Sequence, residues 1–160
     1  MIEHKPFVDT TPLYVDDRGS VYCAMDRMNC ANIGTDNFIT VKRTYVVHNW
    51  EKGRIRAWHG HKNGWTGMHV IHGAAKLVAI AINDLLDFNE GWDSTSVVLS
   101  DKNPGILWVP PGYFNGSVSL VDNTKILVYS TLSFEEVKKD DQRYGLTHNH
   151  YTEFFKVANR

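Results

Sequence analysis

Eight short segments, each rich in Val, Ile, Thr or aromatics and each bounded by Gly, Pro, Asn or Asp, leave this chain little choice but β structure. They run Phe38 to His48, Ile55 to His61, Met68 to His72, Lys76 to Asn83, Ser94 to Leu99, Ile106 to Val109, Ser117 to Val121 and Lys125 to Thr131. Turn formers fall between them: Glu51-Lys52-Gly53, Asn63-Gly64, His72-Gly73, Asn103-Pro104-Gly105, Pro110-Pro111-Gly112 and Asp122-Asn123. Short strands with regular punctuation predict an all-β sandwich or barrel. Helical periodicity is weak, apart from a capped helix expected from Ser133 to Lys139 and a helical stretch near Tyr151 to Val157. A chain of 160 residues supports one well-packed core and is too short for two ordinary domains, and no linker, repeat or low-complexity segment divides it, so residues 1–160 are read as a single domain.

Composition narrows the function classes. The formal net charge is -1 with acids and bases intermixed, which provides no basic footprint for DNA or RNA. Cys23 and Cys30 flank a polar, turn-like stretch with no metal-binding spacing, and reduced structural thiols are the plain reading. The first residues, MIEHKPFVDT, carry acid and base without an apolar stretch, and no later apolar run approaches the roughly 18 residues that a membrane span needs. A soluble, cytoplasmic protein is expected.

The chemistry concentrates in Arg56-Ala57-Trp58-His59-Gly60-His61-Lys62. Side chains alternate across a strand, so His59 and His61 point to one face. Two convergent imidazoles, each able to exchange a proton near neutral pH, suggest proton transfer or metal binding.

In order and spacing, several motifs resemble the RmlC-like cupins, the family of dTDP-4-dehydrorhamnose 3,5-epimerases and the related dTDP-4-keto-6-deoxyhexose 3,4-ketoisomerases. They are Asp17-Arg18-Gly19, Arg56-x-x-His59, Leu99-Ser100-Asp101-Lys102-Asn103, Leu107-Trp108-Val109-Pro110-Pro111-Gly112 and Leu127-Val128-Tyr129, and the resemblance spans about residues 14 to 145. It implies a cupin double-stranded β-helix, a jelly-roll barrel with a short C-terminal helical segment, whose mouth is a small-molecule pocket. In the epimerases the motif histidine is the base beside the 4-keto group, which matches His59, and a tyrosine late in the barrel is the acid, which matches Tyr129. Inverting a carbon acid beside a ketone requires a base on one face and a proton donor on the other, and neutral imidazole and phenol serve without a cofactor. Metal-binding cupins show His-x-His, a nearby Glu and a later histidine after Pro-Gly. Here the next Glu is Glu90, and Tyr-Phe-Asn follows Gly112, so no metal is expected.

Other features are closer to the ketoisomerases. Lys42-Arg43-x-Tyr45 followed by Arg56-x-x-His59-x-His61-Lys62 resembles their pattern, in which both histidines and a tyrosine line the site, and this adds His61 and Tyr45. Asn115 stands where epimerases carry a histidine after the Pro-Pro-Gly turn. The tail from Glu153 to Arg160 lacks the acidic motif that supports the epimerase base, which leaves Asp140 or Asp141 as candidates for that task.

For a nucleotide-diphosphate sugar, Arg18, Arg56, Lys62 and Asn115 are the candidate binding residues. The resemblance implies that Arg18 reaches the nucleotide site across a homodimer. Strict alternation would turn Arg56 away from His59, so both can face one pocket only through a bend or bulge. Trp50, Trp58, Trp65 and Trp108 either stack a nucleobase or are buried. His69 and His72 are read as strand-edge residues, His148 and His150 as tail residues. A non-catalytic sugar- or nucleotide-binding cupin is the alternative from another class.

Overall fold

The structure, a computed structural model, describes residues 4–25, 40–82, 93–145 and 149–157. Cys30, Phe38, Asn83, Glu90 and His148 lie outside the described residues, as do the side chains of His150 and Tyr151. Twelve strands are seen among the described residues: β1 Phe7–Thr10, β2 Tyr14–Asp16, β3 Gly19–Val21, β4 Arg43–Asn49, β5 Ile55–His61, β6 Thr66–His72, β7 Ala74–Ala81, β8 Ser94–Ser100, β9 Gly105–Val109, β10 Tyr113–Ser119, β11 Thr124–Ser130 and β12 Asp141–Arg143. Helix α1, Phe134–Asp140, precedes β12, and a 3-10 helix follows at Asn149–Phe155.

Two five-stranded antiparallel sheets, ordered β1-β9-β6-β11-β4 and β12-β5-β10-β7-β8, face each other as a jelly-roll barrel, and β2 and β3 form a separate hairpin. Alternation sorts each strand between the barrel interior and its outside. Met68, Val70, Leu77, Ala79, Leu107, Val109, Ile126 and Val128 fill the closed part of the interior. Outside the first sheet, Trp65, Ile106, Trp108 and Tyr129 are covered by Phe7, Met25 and Val41 from the N-terminal part of the chain. Outside the second, Trp58, Val78, Ile80, Phe114 and Val118 are covered by Phe154 and Phe155. The strands β7 and β9 are therefore covered on both faces, which is why they read as nearly continuous hydrophobic runs.

Local chemistry explains the boundaries. Gly112, at φ 89°, closes the Pro110-Pro111-Gly112 turn in a conformation that a side chain would oppose. Ser133 caps α1: its hydroxyl accepts from the Glu136 amide while the Glu136 carboxylate accepts from the Ser133 amide. That helix and the β5 boundaries match the sequence reading. β10 begins four residues earlier than expected because Tyr113 pairs with β7 and Phe114 to Gly116 are held on both sides, by β5 and β7, although Asn115 and Gly116 are poor strand formers. β1, β2, β3 and β12 are strands that the sequence reading did not anticipate.

The four tryptophans considered for base stacking, among five in the chain, divide. Trp58, Trp65 and Trp108 are buried, whereas Trp50 is 76 % exposed. His69, expected at a strand edge, is fully buried on the outer face of β6, its ring 5.6 Å from that of Tyr22 and 6.4 Å from that of Tyr129. Its neighbours on β9 and β11 come from the interior of the first sheet, which leaves no edge there.

The Phe155 ring fills the seam where β5 meets β10. A Cβ on Gly116 would lie 2.7 Å from it, and the ring centroid is 5.0 Å from that of Trp58. Phe155→Ala is expected to cost about 3–5 kcal/mol of folding stability, measured by urea unfolding. Burial holds His69 below the ordinary histidine value of 6.5. The unfolded chain therefore binds the proton first on acidification, so stability is full above that value and is lost as pH falls below it. The urea midpoint should decline from about pH 7 to about pH 5, and His69→Gln should flatten that decline without abolishing it, because His59 contributes in the same sense.

Candidate active site

A cavity of about 460 Å³ opens between the two sheets. From the first sheet, β4 supplies Arg43, Tyr45 and Val47, β6 supplies Thr66 and Met68, and β11 supplies Ile126 and Val128. From the second, β5 supplies Arg56, His59 and His61, β10 supplies Asn115 and Ser117, and β12 supplies Asp141 and Arg143. Phe134 and Val137 of α1 lie at its rim.

Arg56 reaches the same cavity as His59 because β5 carries the required bulge. Asn115 pairs with His59 and the next residue, Gly116, pairs with Ala57, so Trp58 is the extra residue. Ala57 and Trp58 turn outward into the cluster under Phe155, and the inward series continues with His59 and His61. The Arg56 Nε donates to Asn49 Oδ1 at 2.7 Å, which fixes the guanidinium across the gap to β4.

Each imidazole has its own carboxylate. His59 Nδ1 lies 3.9 Å from Asp141 Oδ1, and His61 Nδ1 lies 3.6 Å from Asp140 Oδ2. Asp140 is buried, and its carboxylate accepts from the Lys62 and Asn63 amides and from Asn63 Nδ2, fastening the β5–β6 turn. Asp141 Oδ2 instead accepts from Arg143 Nε at 2.6 Å. Both carboxylates arrive together because α1 ends at Asp140 and β12 pairs at once with β5, setting Asp141 opposite His61 and Arg143 opposite His59. Burial lowers the His59 pKa, and Arg143 lowers it further against the opposing pull of Asp141, so the imidazole is neutral at neutral pH. Partial burial raises the Tyr45 pKa despite the Arg43 guanidinium 4.8 Å above its ring, so the phenol keeps its proton.

Tyr129 is not at this cavity. Ile126 and Val128 face inward on β11, so Tyr129 faces outward, its ring centroid 6.0 Å from that of Trp108 and its hydroxyl 3.4 Å from the Ala24 carbonyl oxygen. Lys125, exposed and on the same face of the strand, is the sequence signal that marked that face as outer. Lys62 is exposed at the turn after β5 and does not line the cavity. Arg18 sits in the exposed β2–β3 hairpin, where its Nε donates to Asp16 Oδ2 at 3.2 Å. The structure thus brings together His59, His61, Tyr45, Arg56 and Asn115, sets Asp141, of the two candidate aspartates, beside His59, and adds Arg43 and Arg143. The i,i+2 spacing of Arg43 with Tyr45 and of Asp141 with Arg143 was the available signal for the additions.

Three guanidiniums against one carboxylate leave the lining with an excess of positive charge before either imidazole is counted. That balance suits a phosphate-bearing ligand. Among the described residues, no three His, Cys, Asp or Glu side chains converge as a metal site.

No protein-family model matches the chain, and no curated protein matches it. Solved structures do match. A dTDP-4-dehydrorhamnose 3,5-epimerase from Bacillus anthracis with TDP and pyrophosphate bound superposes with a TM-score of 0.70 at 21% identity, covering 91% of this chain and 81% of that one. The RmlC epimerase of Mycobacterium tuberculosis matches with a TM-score of 0.71 at 18% identity, over 89% and 70% of the two chains. NovW, a 4-keto-6-deoxy sugar epimerase from Streptomyces spheroides, matches with a TM-score of 0.74 at 13% identity, over 93% and 73%. The fold is the RmlC-like cupin barrel.

Proposed function

We propose that this cavity isomerises a nucleotide-diphosphate-linked 4-keto-6-deoxy sugar by proton transfer beside the keto group, epimerising C3, C5 or both. One observation carries the reading: two imidazoles, each beside a carboxylate, share an arginine-lined cavity with a single phenol among its described lining residues. His59 is the base, neutral and therefore able to accept the carbon-bound proton. Tyr45, on the opposite sheet, is the proton donor in place of Tyr129, and its retained proton fits that role. Arg56 and Asn115 bind the ligand, with Arg43 and Arg143 supplying further positive charge for the diphosphate. The Bacillus anthracis epimerase with TDP and pyrophosphate bound, and a 3'-monoepimerase of Streptomyces bikiniensis of the same fold in complex with dTDP-quinovose, make a thymidine diphosphate sugar the first substrate to try. No cofactor is required, and a place in deoxysugar biosynthesis follows from the substrate class.

A specific observation also favours 3,4-ketoisomerisation. Tyr45, His59 and His61 face one cavity while Tyr129 does not. Moving a keto group to the neighbouring carbon transfers one carbon-bound and one oxygen-bound proton, and two adjacent imidazoles can relay both.

The working unit in this reading is a homodimer. Tyr14, Val15 and Val21 of the β2–β3 hairpin are 67 %, 72 % and 67 % exposed, a cost that a second copy would relieve. Docking of that hairpin would also bring Arg18 to a partner's cavity. Among the described residues no helix is long and apolar enough to cross a membrane.

Proton NMR with dTDP-4-keto-6-deoxyglucose in deuterium oxide should show loss of the C3 or C5 signal, whereas a 3-keto product would assign the ketoisomerase. Absence of exchange with retained binding would favour a non-catalytic cupin. His59→Asn should slow exchange by about 10²-fold or more, and Tyr45→Phe should slow it more than Tyr129→Phe does. Light scattering should report twice the chain mass, and a monomer would contradict the dimer.

A further inference from the structure

The Asp141 carboxylate is divided between two partners at unequal distances: 2.6 Å to Arg143 Nε and 3.9 Å to His59 Nδ1. The first is a short charge-assisted hydrogen bond, and the second is beyond hydrogen-bond reach. Without ligand, Asp141 therefore belongs to Arg143 and only faces His59. Arg143 lies directly across the strand pair from His59 and lines the cavity, and its side chain is 73% exposed. The Asp141 carboxylate is the more covered partner, at 23% exposed, whereas the guanidinium stays open to a ligand, and a phosphate offers it a matching pair of oxygens.

We propose that Arg143 couples ligand binding to the strength of the base: an anionic ligand group takes the Arg143 guanidinium, and the Asp141 carboxylate released from it closes on His59. The inference rests on the reading of this cavity as a site for a diphosphate-linked sugar. Closing the gap requires movement of about 1 Å, within the range of a side-chain rotation. The new hydrogen bond would hold the imidazole with Nδ1 protonated, leaving Nε2 to accept the substrate proton, and would make it a stronger base. An empty site would then hold a weak base and a filled site a strong one. Arg143 is a positioning residue here, acting on the chemistry through Asp141.

Among the described residues, the charged and titratable groups that share the cavity with His59 are Arg56 and His61 on its own strand, Asp141 and Arg143 on β12, and Arg43 and Tyr45 on β4. Any bound anion would raise the imidazole pKa by its field alone, so the test must separate that field from the movement of Asp141. His59, assigned by comparison with His59→Asn, is followed by NMR through a pH titration with and without inorganic pyrophosphate. In the unaltered protein the titration midpoint should move to higher pH when pyrophosphate binds. In Asp141→Asn most of that movement should be lost although pyrophosphate still binds. Arg143→Gln should raise the midpoint of the ligand-free protein, and the same substitution in an Asp141→Asn background should have much less effect.

Failure of pyrophosphate to bind, an unmoved His59 midpoint, or an equal shift with and without the Asp141 carboxylate would overturn the proposal. Absence of solvent-proton exchange with the keto sugar would instead overturn the isomerase reading, and that is measured separately from the titration.

Discussion

The extra residue in β5 is the constraint on which the site depends. A strand of unbroken alternation would carry either Arg56 or His59 to the interior, never both. By doubling Ala57 and Trp58 against a single step of β10, the chain turns the indole outward and resets the phase, so that Arg56, His59 and His61 share the cavity. The bulge is held from behind, because the displaced indole is sealed by Phe154 and Phe155, and the backbone pairing of Trp58 with Tyr144 continues the β12 contact past the bulge. Cavity geometry and packing of the outer layer are thus one arrangement seen from two sides of a sheet.

The barrel divides its interior by strand order. Apolar side chains of β6, β7, β9 and β11 fill one side, while β4, β5 and β10 bring Arg43, Tyr45, Arg56, His59, His61 and Asn115 to the other. β5 and β10 keep a strand neighbour on each side there, so it is their side chains that face the open space. The acidic groups come from elsewhere, on the return from α1, which lets the cavity acquire carboxylates without burying unpaired charge in the body of the barrel.

Much of the frame was legible in sequence because it rests on local patterns. β5 has its expected limits, Ser133 begins α1, and the need for a bulge between Arg56 and His59 could be stated from parity alone. Less legible was whatever depends on long-range pairing. Asp141-Gln142-Arg143 has no β character of its own and becomes a strand only because β5 offers an edge, so the partner of His59 could be named only as one of two aspartates. The placing of Tyr129 was hidden for the opposite reason: its motif is local, but where its ring lies depends on which side of β11 faces the other sheet, and the ring packs beside Trp108 and His69. His69 shows the same limit, since a polar residue near a strand end reads as exposed until a covering segment from far away in the chain is known.

The junction between α1 and β12 contains no loop: Asp140 ends the helix and Asp141 begins the strand. The capping box fixes where the helix starts, so its length alone decides which aspartate emerges beside which histidine. Gain or loss of one residue within α1 would rotate the exit by about 100° and hand each imidazole the wrong acid or none. Sequence drift in this segment is therefore held to a fixed count as well as to the capping pair and Asp140, and a seven-residue surface helix serves as the ruler for the site beneath it.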